Sequence, residues 1–165
     1  QVSEAGPLTL GSRFLWLPWP AARCLEFTPD RWVGESRAYD RPPWNVVHRR
    51  TVERLEKGVW RIRDEALGSG RQRVVLYWHL ADAPIDFESH LCRVTMRGEP
   101  GTCELTVTGP PGMRMAVHEG MEGGRGISGW KSDYYAHRVP RPTVVVEAIG
   151  DLPQTLVTNV RLIGD

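Results

Sequence analysis

The side chains best suited to chemistry fall in two clusters. His48, Arg49 and Arg50 are consecutive, and Tyr134, Tyr135, His137 and Arg138 form a second compact group. A guanidinium presents a planar fork of N–H donors that grips a carboxylate or sulfate through two hydrogen bonds. A Tyr or His beside it can take a proton. The second group therefore holds the ingredients of proton abstraction. A plainer reading competes in both places. His48 and its arginines read as strand residues. Of the two tyrosines, one packs inward and the other lies on a loop before Pro140, because a buried Tyr needs only one hydrogen-bond partner. No catalytic residue is assigned on these grounds. His48, Arg49 and Tyr135 are kept as candidate ligand contacts.

Two tryptophans join them. Trp60 and Trp78 sit in strongly apolar strands and read as core. Trp44, between Pro43 and Asn45, and Trp130, between Gly129 and Lys131, stand in polar loops. An exposed indole there offers a face for a sugar ring, or a surface for a further domain. Metal chemistry has no support. His79, His90, His118 and His137 are spaced like no compact ligand set, and Cys24, Cys92 and Cys103 contain no C-x-x-C pair. No metal and no cofactor is expected, and no phosphate loop, nucleophile elbow or paired-carboxylate pattern stands out.

Composition bounds the rest. A chain of 165 residues is sized for one domain with a real core, here residues 1–165. Its 41% hydrophobic and 25% charged content is that of a globular protein. No apolar run approaches the ~20 residues of a spanning helix, so no membrane role is expected. Residues 1–80 hold 13 basic and 9 acidic side chains, and residues 81–165 hold 8 and 11. Neither imbalance argues for nucleic acid. Of the 21 basic residues all but Lys57 and Lys131 are Arg. That excess suits an acidic polysaccharide, yet it is spread along the whole chain, as a compositional bias would be.

The elements that must position these groups are strands. Val47 to Leu80 reads as three in succession, turning at Glu56-Lys57-Gly58 and at Gly68-Ser69-Gly70. Val74–Leu80 is apolar on both faces, which predicts a central strand. Phe14–Trp19, Cys24–Phe27, Arg31–Tyr39, Phe87–Arg97, Thr102–Thr108, Met113–His118, Thr143–Ile149 and Leu156–Ile163 follow the same pattern, with a loop at Arg41–Trp44 and a flexible loop over Glu119–Gly129. No window has helical periodicity with caps. The spacing predicts an all-β fold, an antiparallel two-sheet β-sandwich of about ten short strands. A hairpin about Gly98–Gly101 sets Met96 opposite Cys103 and Cys92 opposite Val107. The two cysteines are then too far apart to bond, and three reduced, mostly buried thiols are expected.

The same segments carry a family likeness. The "HRR" strand, the "W-R-I-R-D" strand, the glycine turn and "Y-W-H-L" resemble the C-terminal β-sandwich of heparinase II/III-like polysaccharide lyases. QVSEAGPLTL at the start and SGWKSDYYAHRVPRPTVVVEAIGDLPQTLVT near the end are similar to further stretches of that family. The chain starts without Met and partway through such a stretch, and so reads as the excised C-terminal part of a larger lyase. The resemblance implies a parent that cleaves acidic polysaccharide by β-elimination, periplasmic or secreted, with an upstream α/α-toroid domain in the same chain. It places the catalytic Tyr and its partners upstream of Gln1. The domain is therefore expected to be a scaffold or accessory, inactive by itself. The rival reading is an autonomous carbohydrate-binding module.

Overall fold

A computed structural model describes residues 9–10, 16–17, 19, 21–99, 101–123 and 126–164. Most of what is described is strand. In chain order these are β1 (Thr9–Leu10), β2 (Trp16–Leu17), β3 (Ala22–Phe27), β4 (Arg31–Ser36), β5 (Val47–Glu56), β6 (Val59–Leu67), β7 (Arg71–His79), β8 (Ile85–Glu88) and β9 (Arg93–Gly98). They continue as β10 (Gly101–Thr108), β11 (Arg114–His118), β12 (Met121–Gly123), β13 (Gly126–Ser128), β14 (Trp130–Tyr134), β15 (His137–Pro140), β16 (Thr143–Asp151) and β17 (Gln154–Gly164).

Eight strands form one antiparallel sheet in the order β3-β4-β5-β6-β17-β10-β9-β8, and three form a second, β11-β16-β7. The remaining six make three two-stranded ribbons. The two sheets meet at a single core. Leu76, Val144, Val146 and Ala148 come from the smaller sheet, and Val94, Leu105, Val107 and Leu156 from the larger. Strand side chains alternate between faces, and the alternate residues Val144, Val146 and Ala148 of β16 enter this core, with Leu156 of β17 in it and Val160 against it. Trp78 packs against it from β7, and its Nε1 donates to Thr158 Oγ1 across the sandwich at 3.2 Å. A smaller cluster of Val46, Ala66 and Leu152 closes one end, with Tyr39 and Trp44 against it. The fold is the all-β antiparallel sandwich that the alternation predicts.

Particular expectations are corrected. Among the described strands β16, not β7, is the middle of the smaller sheet. Val74 and Leu76 face the core, so Val75 faces the other way, yet it is only 4% exposed. Apolarity on both faces of β7 thus reflects burial of its outer side rather than two neighbouring strands. Phe87–Arg97 is not one strand. A 3₁₀ turn at Ser89–Leu91 breaks it, and Cys92 sits at φ 46° in the left-handed region. The segment Glu119–Gly129 contains the β12–β13 ribbon rather than a plain loop, and Trp130 opens strand β14. All three cysteines are free, but Cys24 is exposed and Cys92 and Cys103 are half-buried. Cys24 lies on the sheet-edge strand β3, where the register slips between Cys24 and Glu26. Met96 does face Cys103, and Val107 donates to the Cys92 carbonyl. The strand expected at Phe14–Trp19 falls mostly outside the described residues.

Replacing Trp78 with Ala removes a large side chain from the junction of the sheets and its bond to Thr158. The expected loss is about 3–5 kcal/mol of unfolding free energy, read from urea denaturation. A midpoint like that of the unaltered chain places the core elsewhere.

Candidate functional site

Strand β6 puts Trp60, Ile62, Asp64 and Ala66 on one face by its period of 2. Three of these are apolar, and the fourth is a carboxylate with 6% of its surface exposed. An ionised group so placed is costly unless it is paired and hydrogen-bonded. The neighbouring strand supplies the partners. Arg50 lies directly across from Asp64 and binds it through two nitrogens, Nε to Oδ1 at 2.7 Å and Nη2 to Oδ2 at 3.1 Å. His48 Nε2 lies 2.7 Å from the same Oδ1. Burial pushes the Asp64 carboxyl up, but the hydrogen bonds from His48 and Arg50 outweigh it and hold the group below the usual carboxylate range. With Asp64 ionised, the imidazole donates to it from Nε2, and Nδ1 remains as the second ring nitrogen. Behind the trio the Arg50 guanidinium lies over the Trp78 ring, 5.2 Å from its centroid. A cavity of about 230 Å³ opens beside it, lined by Tyr39, His48, Arg50, Asp64 and Tyr77 together with aliphatic side chains.

The opposite face of the same strands carries a second knot. Arg23, Glu35, Arg49 and Glu65 lie in one cross-strand row. Glu35, 6% exposed, takes Arg49 on Oε1 at 2.7 Å and Arg23 on Oε2 at 2.8 Å. Those bonds, that of Arg49 foremost, hold its carboxyl below the ordinary value against the effect of desolvation. His48 and Arg49 are adjacent in sequence and therefore face opposite ways.

The other sequence candidates lie apart. Trp44 meets Tyr39 edge to face at 5.9 Å and has Arg41 over its ring. Trp130 is on the β14–β15 ribbon with the Arg138 guanidinium 4.4 Å from its ring centroid, and its Nε1 donates to the Met121 carbonyl. Tyr135 is at the tip of that ribbon, 82% exposed, while Tyr134 stacks on His137 at 4.4 Å. Residue-type reasoning missed Asp64, whose signal was a carboxylate at a core-facing position of an alternating strand. It also missed Trp32 and Gly34 on β4. Their cue was weaker, a glycine two residues after an indole. Among the described residues no three His, Cys, Asp or Glu side chains converge as a metal site would require. No helix among them is long and apolar enough to cross a membrane.

Sheet order and core define an antiparallel β-sandwich, and comparison with known proteins gives its family. The chain belongs to the heparinase II/III-like family, matching the model of its C-terminal domain, "Heparinase II/III-like, C-terminal", over residues 1–154. It is similar to a solved heparinase III gene product, with TM-score 0.71 and 21% identity over 87% of this chain. It is also similar to the heparan sulfate lyase HepC from Pedobacter heparinus, with TM-score 0.68 and 19% identity over 87% of this chain. A further structure titled heparinase III matches 95% of this chain at 13% identity and TM-score 0.68. The chain spans 22% of the length of the first two and 23% of the third. A search of curated proteins found no match.

The lowered Asp64 carboxyl fixes a pH dependence. Its stabilising bonds are fully present above the unfolded carboxylate value, about pH 4, and are lost as the pH falls through the lower folded value. Asp64→Asn should cost about 2–3 kcal/mol at pH 7, less than a fully buried pair because Arg50 and His48 remain 31% and 37% exposed. It should also flatten the decline in stability below pH 4. Urea midpoints measured from pH 7 to pH 2 check both, and an unchanged acid limb in the variant shows that Asp64 does not carry the effect.

Proposed function

We propose that this domain is the C-terminal β-sandwich of a polysaccharide lyase and serves its parent as a scaffold or accessory without performing the elimination itself. The parent, on this reading, cleaves an acidic polysaccharide by β-elimination, with an α/α-toroid domain upstream in the same chain and a periplasmic or secreted location. Family membership supports the parent's class, and the names heparinase and heparan sulfate lyase borne by the matched structures support an acidic substrate. The observation that carries the scaffold role is how the reactive side chains are used. Arg23 and Arg49 are spent on Glu35, Arg50 and His48 on Asp64, Arg31 on Glu26 and Glu53, and Arg93 on Glu88 and Glu104. Elimination needs a carboxylate neutraliser, a base and a leaving-group acid around one sugar. Here each of these side chains already has a carboxylate partner on the sheet. His48 with Arg50, and Tyr135 on its ribbon, lie on different elements.

The alternative, a module that binds carbohydrate on its own, is favoured by a groove beside His48 on strands β3 to β5.

The purified chain is expected to release no unsaturated uronate from heparan sulfate, chondroitin sulfate, hyaluronan or alginate, followed by ultraviolet absorbance. Turnover that disappears in His48→Ala or Tyr135→Phe places the active site in this domain and ends the scaffold reading.

A further inference from the structure

The larger sheet is wider than the sheet that covers it. From the larger sheet the main core draws on β17, β10, β9 and β8, and on none of β3, β4 or β5 among the described residues. Yet the core-facing side continues across those strands. Leu156, in the core, is in register with Asp64, Asp64 with Arg50, and Arg50 with Gly34, so all four share one face. By the period of 2, Trp32 and Ser36 lie on that face on either side of Gly34, and Ser36 is directly across from His48.

Gly34 is a glycine for a visible reason. A Cβ there would sit 2.4 Å from Cζ2 and 2.5 Å from Cη2 of Trp32. The indole is folded down along the strand across residue 34, beside Arg50, rather than standing out from the sheet. It helps line a groove of about 420 Å³ with Ser36, His48 and Arg50, and with Arg23 and Glu35, which pair with each other. That is the size of a small-ligand site, which commonly pairs an aromatic wall with a few placed polar groups. Asp64 takes Nε and Nη2 of Arg50, and Nη1 has no partner among the described residues. Asp64 likewise fixes Nε2 of His48, which leaves Nδ1 as the ring nitrogen open to a ligand. The indole over residue 34, the rigidly held guanidinium edge across from it and the ring nitrogen of His48 two residues along then stand within about 7 Å of strand.

We propose that this groove is a subsite for one anionic sugar residue, a uronate or sulfated pyranose. Its C–H face stacks on Trp32, its acid oxygens meet Nη1 of Arg50, and a ring hydroxyl pairs with Nδ1 of His48. The proposal rests on the reading that the parent acts on acidic polysaccharide, and it names where this domain touches that polymer.

The test titrates the 165-residue chain with three tetrasaccharides. One is unsulfated chondroitin, one heparan sulfate and one the neutral cellotetraose, with binding followed by tryptophan fluorescence and amide NMR shifts. The acidic sugars should bind saturably and weaken with added salt, and cellotetraose should not bind. Preference for the first or second separates a carboxylate ligand from a sulfate one. Trp32→Ala should weaken acidic-sugar binding about tenfold or more. Gly34→Ala, which displaces the indole and leaves every polar group in place, should do the same, with circular dichroism confirming the fold of both. Acidic-sugar binding unaltered in both variants refutes the subsite and leaves the substrate class standing. Binding of cellotetraose alone refutes both. Failure to bind any of the three, with self-association that Trp32→Ala abolishes, makes the face a protein-docking surface and overturns the subsite.

Discussion

A carboxylate turned toward the core of a sandwich dictates much of what surrounds it. Asp64 occupies a face that on the same strand is otherwise Trp60, Ile62 and Ala66, and an unpartnered anion there would cost several kcal/mol. Arg50 satisfies both of its oxygens, and His48 adds a bond to one of them. Holding Arg50 this way lays its guanidinium over Trp78, and Trp78 in turn reaches across to Thr158. One buried charge thus links β5, β6, β7 and β17, and so both sheets. The pairing requires a single register between β5 and β6, since a slip by one residue would send Asp64 to the opposite face from Arg50.

The other face of the same strands works by the same rule with a different result. Rows of alternating sign, Arg23–Glu35–Arg49 and Glu26–Arg31–Glu53, run across β3, β4 and β5. Opposite charges directly across from each other stabilise a sheet modestly, and like charges oppose it. The arginine excess of the chain is therefore largely structural on these strands. Guanidinium rather than ammonium suits the task, because one Glu35 must accept two cations from flanking strands in fixed directions. This also explains why charge composition alone was a poor guide to a partner: much of it is cancelled within the sheet.

The sequence was most readable where local rules suffice. The strands from Val47 to His79 have strict alternation and glycine turns, and Gly58 and Gly70 adopt the positive φ that such turns favour. The hairpin registering Met96 on Cys103 followed from turn position alone. Reading failed where a nonlocal partner decides. Nothing within Phe87–Arg97 announces that Cys92 turns left-handed. The rank of β7 in its sheet depends on β16, many residues away. His48 was visible as a candidate, but Asp64, its partner, is 16 residues on and is joined to it only by cross-strand register. Trp32 carried no local signal beyond the glycine two residues on, whose Cβ space its ring fills.

The two kinds of charge pairing also differ in what they leave over. On the outer face Glu35 is saturated by two guanidiniums, each approaching with Nε and Nη2. On the inner face Asp64 is likewise saturated, but by one arginine and one imidazole, and both cost it only part of their hydrogen-bonding capacity. What remains, a guanidinium edge and a ring nitrogen, is held rigid by a carboxylate that is itself out of reach of solvent. Groups fixed in this way lose little freedom on meeting a ligand, which is the condition for weak contacts to add up to recognition. A structural pairing that stabilises the sandwich thereby also prepares the face beside Trp32. Among the described residues the inner side of β3, β4 and β5 adds no apolar side chain to the main core, and it meets that core where Arg50 lies over Trp78.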